Sequence, residues 1–310
     1  MKDCPSISII IPSYNSKKTI IQCLNSVLNQ SYEGVEQVVV VDSSDDGTDE
    51  IIKEFYPSVK LIHLRERTLA GAARNIGVKA TNSEYIAFTD TDCIVDHHWV
   101  ENILRRMKNG DYDAVGGVIL NGTPKSLSGT LGYLNEFSFY LPQKKGGYVD
   151  AFATANACYR RSIFNSHQFM ESLPAAQDTV FHWSLIDNGK KLFFDPAVII
   201  THINRKGFRT VLKHQRQLGG GAGIARIIMK RDLLLVKYPI LCMLLLPWVR
   251  ILRMYQRVFL NDKDLWRKVT LFFPLSLIIA YSWSFGFCKS LLKHKKDLSQ
   301  TNKFPCRYNT

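Results

Sequence analysis

Residues 6–15 read SISIIIPSYN, residues 35–47 read VEQVVVVDSSDDG and residues 85–92 read YIAFTDTD. Each is a run of apolar, largely β-branched residues that stops at a polar turn-forming segment, as a strand buried on both faces does. Between these runs the period changes. Lys17–Gln30 sets Ile20, Ile21, Leu24, Val27 and Leu28 at helical spacing, a second helix is expected from Gly47 to Phe55, and a third over Leu69–Ala80. The strands are expected at Ser6–Ile11, Val35–Asp42, Val59–Leu64 and Tyr85–Asp90, and His97–Lys108 continues the rhythm. Strand and helix alternating in this way imply parallel strands joined by crossover helices, an α/β fold with a doubly wound, mostly parallel sheet.

Beyond Tyr112 the rhythm loosens. Ala114–Leu120 and Tyr148–Ala155 read as strands, Gln177–Asn188 as a helix, and Lys191–His202 as a strand interrupted at Asp195–Pro196. The Gly, Ser, Pro and Lys of 121–147 predict a mobile loop around an aromatic segment, Tyr133–Leu141, suited to a lid or acceptor-binding element. Phe208–Met229 has a helical pattern interrupted at Gly219–Gly221, where the glycines break the helix or let a neighbour pack closely. Two apolar segments follow: Leu233–Val249, with two prolines, and Val269–Cys288, which carries no charge and is long enough to cross a bilayer.

The chain has 310 residues and a net charge of +13, unevenly spread. Residues 1–204 hold 19 Lys/Arg and 23 Asp/Glu, while residues 205–310 hold the other 21 and 4. A basic, apolar end without a recognisable nucleic-acid module points to an anionic membrane surface and away from nucleic acid. Arg250, Arg253, Arg257, Lys263, Arg267 and Lys268 lie between the two apolar segments, and Lys289, Lys293, Lys295 and Lys296 after them. A hairpin would export the first cluster and a single span the second, so attachment that dips into one leaflet is expected, with the protein at the cytoplasmic face of the cell's inner membrane. The start, MKDCPSISIII, has no long apolar stretch ahead of its first strand, which argues against secretion. The seven cysteines form no CxxC pair and read as reduced structural thiols. Trp248, Trp266 and Trp283 suit interfacial anchoring, and Arg160-Arg161 suits either a phosphate or solvent.

In an open α/β sheet, ligands bind beyond the carboxyl ends of the strands. Three polar signatures fall there: Pro12-Ser13-Tyr14-Asn15, Asp42-Ser43-Ser44-Asp45-Asp46-Gly47 and Asp90-Thr91-Asp92. Singly, such acids are commonly helix caps or solvated turns. Together they offer the hard oxygen ligands that Mg²⁺ or Mn²⁺ takes when it also holds a diphosphate.

Six ordered motifs make the pattern specific: SIIIPSYN, VVVVDSSDDGT, GAARNIG, YIAFTDTDC, TANACYRRSIF and QDTVFHWSLIDNG. From about Ser6 to about Arg231 the chain resembles the family 2 glycosyltransferases with the nucleotide-diphospho-sugar transferase (GT-A) fold. The resemblance implies a catalytic domain over 1–231, with a nucleotide-sugar half to about 112 and an acceptor half from 113, and a membrane-associated region over 232–310. It implies inverting, metal-dependent transfer from a nucleotide-sugar, usually a UDP-sugar, to a saccharide or lipid-linked acceptor in surface polysaccharide synthesis. Pro12, Tyr14 and Asn15 would line the nucleotide pocket and Asp42 would meet the base. Arg74 would lie near the donor, Asp90 near the ribose or sugar, and Asp92 on the metal, with His202 a further ligand. Thr154, Ala155 and Asn156 would close round the transferred sugar and acceptor. Asp178 would be the base, in a Gln177-Asp178 pair where the family usually has Glu-Asp. A nucleotidyltransferase, which needs a glycine-rich activation loop after the first strand, and a catalytically silent donor-binding or scaffold subunit are the rival readings.

Overall fold

The computed structural model describes residues 5–294. The chain forms two compact units, one from residues up to Leu120, Lys145–Ser172 and Phe181–Ile203, the other from Asn121–Lys144, Leu173–Val180 and the chain from Asn204 on.

The first unit is a nine-stranded mixed sheet with helices. Its elements begin with β1 (Ile7–Ser13), α1 (Ile20–Leu28), β2 (Val35–Asp42), α2 (Thr48–Phe55), β3 (Lys60–His63), α3 (Ala70–Lys79) and β4 (Tyr85–Phe88). These four strands pair in parallel in the order β3-β2-β1-β4, as the alternating sequence requires. Next come β5 (Cys93–Val95), α4 (Trp99–Lys108) and β6 (Ala114–Asn121), then β7 (Gly147–Tyr148), β8 (Ala157–Arg160) and β9 (Leu192–His202). They extend the sheet as β8-β6-β9-β5, with β8 antiparallel to β4 and β7 antiparallel to β9. Ile7, Ile9, Ile10, Ile11, Val39 and Val40 are fully buried, each worth roughly 1.5–3 kcal/mol of transfer free energy. Behind them Phe88, Tyr159, Phe164, Phe169 and Phe181 meet in edge and stacked pairs with ring centroids 4.2–6.3 Å apart. In α1, Ile20, Cys23, Leu24 and Val27 face inward, while Ile21 and Leu28 are exposed, so the apolar stripe is narrower than its sequence suggests.

Two strand expectations need correction. Of the strand read at Tyr148–Ala155 only Tyr148 lies in a strand, β7, and β8 begins beyond it at Ala157, after a 3₁₀ turn at Thr154–Asn156. That turn holds because the Asn156 amide donates to the Val118 and Val198 carbonyls, at 2.8 and 3.0 Å, and accepts from Trp99 Nε1 at 2.7 Å. β9 is not interrupted at Asp195–Pro196: the buried Asp195 carboxylate accepts from the Ala197 N–H at 2.9 Å and from Arg106 Nε at 2.5 Å.

The second unit is helical. It contains α5 (Leu127–Phe137), the start of α6 (Gln177–Asp187), α7 (Phe208–Ile228), α8 (Leu233–Lys237), α9 (Pro239–Asn261), α10 (Lys263–Thr270) and α11 (Phe273–His294). The segment expected as a mobile loop contains α5, capped by Ser126 Oγ accepting from Gly129 N, and all but two residues of this helix are buried. Its small residues serve packing: a Cβ on Gly132 would lie 3.2 Å from Val211 of α7. The Gly219–Gly221 stretch does not break α7 but lets α11 approach it. A Cβ on Gly219 would come within 1.9 Å of the Trp283 carbonyl oxygen, and one on Gly286 within 1.9 Å of that of Arg216.

Most of the apolar run Val269–Cys288 is α11. Among the described residues this is the one helix long and apolar enough to cross a membrane, yet 61% of its apolar window is buried within the protein. Trp283, read as an anchor, is a core residue, stacked on Phe287 at 5.2 Å. On α9, by contrast, Ile240, Leu241, Leu244, Leu245, Trp248 and Leu252 are exposed. Cys23, Cys93, Cys158, Cys242 and Cys288 are free buried thiols; Cys4 and Cys306 lie outside the described residues.

Candidate active site

The carboxyl ends of β1, β2 and β4 sit side by side, and short hydroxyl side chains knit the loops that leave them. Asp42 ends β2 wholly buried. Its Oδ1 accepts from Ser13 Oγ at 2.7 Å and Ser44 Oγ at 2.5 Å, and its Oδ2 from the Ser44 N–H at 3.1 Å, with His63 Nδ1 at 2.9 Å. A carboxylate can be buried at low cost when its lone pairs are filled in this way. Asp42 therefore fixes the loop. Asn15, with φ of 51°, receives the Asp45 N–H on its side chain and gives its own N–H to Ser44 Oγ at 2.7 Å. Ser16 Oγ lies 2.7 Å from Thr91 Oγ1, tying the β1 loop to the Asp90-Thr91-Asp92 turn.

The N-cap of α2 is Gly47 and none of the acids, and Asp46 braces the turn just before it. It accepts from the Thr48 N–H and hydroxyl and from the Lys17 N–H, and these bonds outweigh burial to hold its pKa below the ordinary carboxylate value. Pro12 is buried at the end of β1. Tyr14 is exposed, with the Arg67 guanidinium 4.5 Å from its ring centroid. An aromatic face with a stacked cation at a strand end suits a planar base beside phosphate.

Arg74 of α3 reaches the β4 end, where Nη2 donates to Asp90 Oδ1 at 2.8 Å. Its Nε and Nη1 are buried without a hydrogen-bond partner. Buried guanidinium donors left unused are costly, so they suit a ligand oxygen. Two residues after Asp90, Asp92 is about a quarter exposed and its Oδ1 lies 3.5 Å from Nε2 of the buried His202, which ends β9. Candidate ligand atoms of Asp92, Cys93 and His202 fall within 4.8 Å of one another. Carboxylate and imidazole form a donor set that fits Mn²⁺ or Mg²⁺ with remaining ligands drawn from a substrate. The Cys93 thiol is pushed well above its ordinary value, by burial first and then by Asp92 and Asp90.

Pro12, Tyr14, Asn15, Asp42, Arg74, Asp90, Asp92 and His202 thus belong to the strand-end region of one unit. Thr154, Ala155 and Asn156 are buried in the same unit, and the Asn156 side chain is occupied by structural bonds. Asp178 belongs to the helical unit, in the first turn of α6, where the helix N-terminus favours a carboxylate. Its Oδ1 accepts from the Thr179 N–H at 2.8 Å, and Ala176 just before holds a left-handed φ of 63°. Gln177 Oε1 is buried without a hydrogen-bond partner.

The sequence reading missed His63, Arg67 and Cys93. His63 was findable, because it ends β3 in register with Asp42. Arg160 and Arg161 are half-buried, and they donate to Tyr112 O and Met107 O, and to Thr81 Oγ1 and Val78 O.

A mixed α/β sheet with acidic strand ends and a buried arginine among them is the architecture in which ligands bind beyond the carboxyl ends of the strands. Residues 8–167 match the sequence model of Glycosyl transferase family 2, and the chain belongs to that family. It is 30% identical over 225 residues to Glycosyltransferase AglE of Haloferax volcanii, covering 70% of this chain and 73% of that protein. Its fold is the GT-A fold, similar to the mannosyltransferase PcManGT from Pyrobaculum calidifontis solved with GDP-Man and Mn²⁺. There the TM-score is 0.62 with 18% identity, over 97% of this chain and 89% of that one. GalNAc-T7, solved with UDP, GalNAc and Mn²⁺, is similar at a TM-score of 0.53 and 18% identity, over 66% of this chain and 45% of that one.

Proposed function

We propose that this glycosyltransferase transfers a sugar with inversion from a nucleotide-diphospho-sugar, a UDP-sugar first, to a hydroxyl of a saccharide acceptor, in a metal-dependent reaction. The observations that carry the reading are the buried Arg74, bound to Asp90 with two donors unused, and the Asp92–His202 pair at the strand ends. Structural relatives solved with UDP or GDP-Man and Mn²⁺ support it.

Pro12, Tyr14 and Asn15 receive the nucleotide on the loop that Asp42 holds rigid, and Arg74 donates to phosphate or sugar oxygens while Asp90 accepts from sugar hydroxyls. Asp92 and His202 would hold a Mg²⁺ or Mn²⁺ ion, whose Lewis acidity stabilises a departing diphosphate. Thr154 and Ala155 close round the transferred sugar, with Asn156 keeping their turn in place. Asp178 takes the proton of the acceptor hydroxyl as its oxygen attacks the anomeric carbon from the face opposite the leaving group. A single displacement inverts that centre without a covalent enzyme intermediate.

The acceptor is lipid-linked and the protein works at the cytoplasmic face of the membrane, in surface polysaccharide synthesis. The exposed apolar side chains of α9 and the basic C-terminal region support this attachment. The test is nucleoside diphosphate release from a panel of UDP-, GDP- and dTDP-sugars, with lipid-linked and free saccharides as acceptors. Release is expected from one donor, is stopped by EDTA and is restored by Mn²⁺ or Mg²⁺. Full activity in EDTA would remove the metal role, and preference for the free saccharide the lipid-linked acceptor.

A further inference from the structure

The helical unit holds a cavity of about 280 Å³ that the proposed transfer does not use. Its walls come from α5 and the turn after it, from α7, α9 and α11, and three arginines of α9 line it: Arg250, Arg253 and Arg257. These are spaced three and four residues apart, so one helix face presents all three. Arg250 is held in place, with its guanidinium 4.0 Å over the Trp283 ring and Nη2 donating to the Asn135 carbonyl at 3.0 Å, but its Nε is buried without a partner. Arg257 is half-buried, 4.7 Å over the Phe139 ring, and Arg253 is exposed. No ion pair to any of the three occurs among the described residues. Glu136 also lines the cavity, 3.1 Å from His214 Nε2, and one carboxylate does not balance three guanidinium groups.

A second, independent observation points to a ligand. Gln215 of α7 lines the same cavity at 1% exposure, and neither its amide nitrogen nor its amide oxygen has a hydrogen-bond partner. Leaving such atoms unsatisfied is costly, so a buried amide lining a polar cavity is poised for something that fills it. The crowding of cations agrees. The Lys144 ammonium, near Phe139, is lowered to about 8 by burial and then by Arg257, and Arg257 is itself lowered by burial and by Arg253. Guanidinium groups stay protonated under such pressure, and an oxyanion relieves it.

We propose that this cavity binds a phosphate or diphosphate group between Arg250, Arg253 and Arg257, with the Gln215 amide as a further donor. Its binding needs neither the nucleotide-sugar nor the transfer reaction. The phosphate can come from a membrane-embedded prenyl diphosphate or from a soluble phosphate, and the test separates the two.

The full chain, purified in detergent and kept in EDTA, is titrated with inorganic pyrophosphate and followed by ³¹P NMR. Binding is expected, unchanged in Asp92→Asn and at least tenfold weaker in Arg253→Gln/Arg257→Gln, with partial recovery in Arg253→Lys/Arg257→Lys. Should the double variant fail to fold, Arg253→Gln alone, on an exposed side chain, is expected to weaken binding severalfold. Flotation on phosphatidylcholine vesicles, with or without farnesyl diphosphate or an equal charge of phosphatidylglycerol, identifies the source. Enrichment on the diphosphate vesicles that the double variant loses assigns the site to a lipid diphosphate. Pyrophosphate binding without that enrichment assigns it to a soluble phosphate. No pyrophosphate binding, or binding that the arginine variants leave unchanged, overturns the proposal.

Discussion

Asp42 in the sheet unit is wholly buried and each of its oxygens has two partners, whereas Arg250, Arg253 and Arg257 in the helical unit share a cavity without an ion pair among the described residues. The difference follows from backbone chemistry. Loops that leave strand ends carry spare N–H groups and short hydroxyl side chains, so a carboxylate there is satisfied from within. A helix interior spends its backbone donors and acceptors on itself. Charge on helices must be met by side chains or by a ligand, and this unit supplies few acids. The sheet unit organises charge before substrate arrives; the helical unit leaves cations in wait.

The comparison can be broken most sharply at Asp178, the acid proposed to act chemically from the helical unit. Asp178→Asn is expected to lower transfer roughly 10²–10⁴-fold with donor binding nearly intact, measured by turnover and by calorimetric titration of donor. A parallel loss of donor affinity would return Asp178 to the binding machinery. Next comes Asn156, whose loss strands two carbonyls and an indole N–H inside the sheet unit. Asn156→Ala is expected to cost roughly 3–5 kcal/mol of stability by denaturant unfolding, and a cost under 1 kcal/mol would mean water replaces the amide. In the helical unit, Gly219→Ala drives a methyl into the Trp283 carbonyl oxygen and is expected to cost roughly 2–3 kcal/mol. A neutral result would show that α7 and α11 separate freely.

The smallest effect is a pH slope in the sheet unit. His182 is buried against Tyr159, and burial, then Arg74, lowers its value from 6.5 to about 3. Between those values the unfolded chain takes a proton that the folded one refuses. Stability is therefore full above pH 6.5 and declines as pH falls through that window, by up to about 1.4 kcal/mol per pH unit. Melts at pH 7, 6 and 5 should show the decline, and His182→Phe should flatten it between pH 6.5 and 5.

Strand and helix order to β4 was legible because buried parallel strands and amphipathic helices write their periods plainly, and the polar ends of β1, β2 and β4 marked the strand-end region; the three-residue β5 before α4 was too short to show a period. What escaped was set by packing across distance. The small residues of α5 look like loop composition until Val211 lies against Gly132, and Trp283 looks like an anchor until Arg250 covers it. Pro196 seemed to end a strand that the bonds made by Asp195 carry through. The Gln215 amide gave no signal, since a lone glutamine in a helix ordinarily faces water.

The glycine seam between α7 and α11 also sets a rule for how this chain can change length. Adding one residue to α7 ahead of Gly219 would turn everything after it by about 100° and swing Gly219 and Gly223 off α11 together. Gains or losses in that helix are bearable only near whole turns, so the seam works as a notch that fixes the helix's rotation as well as its distance.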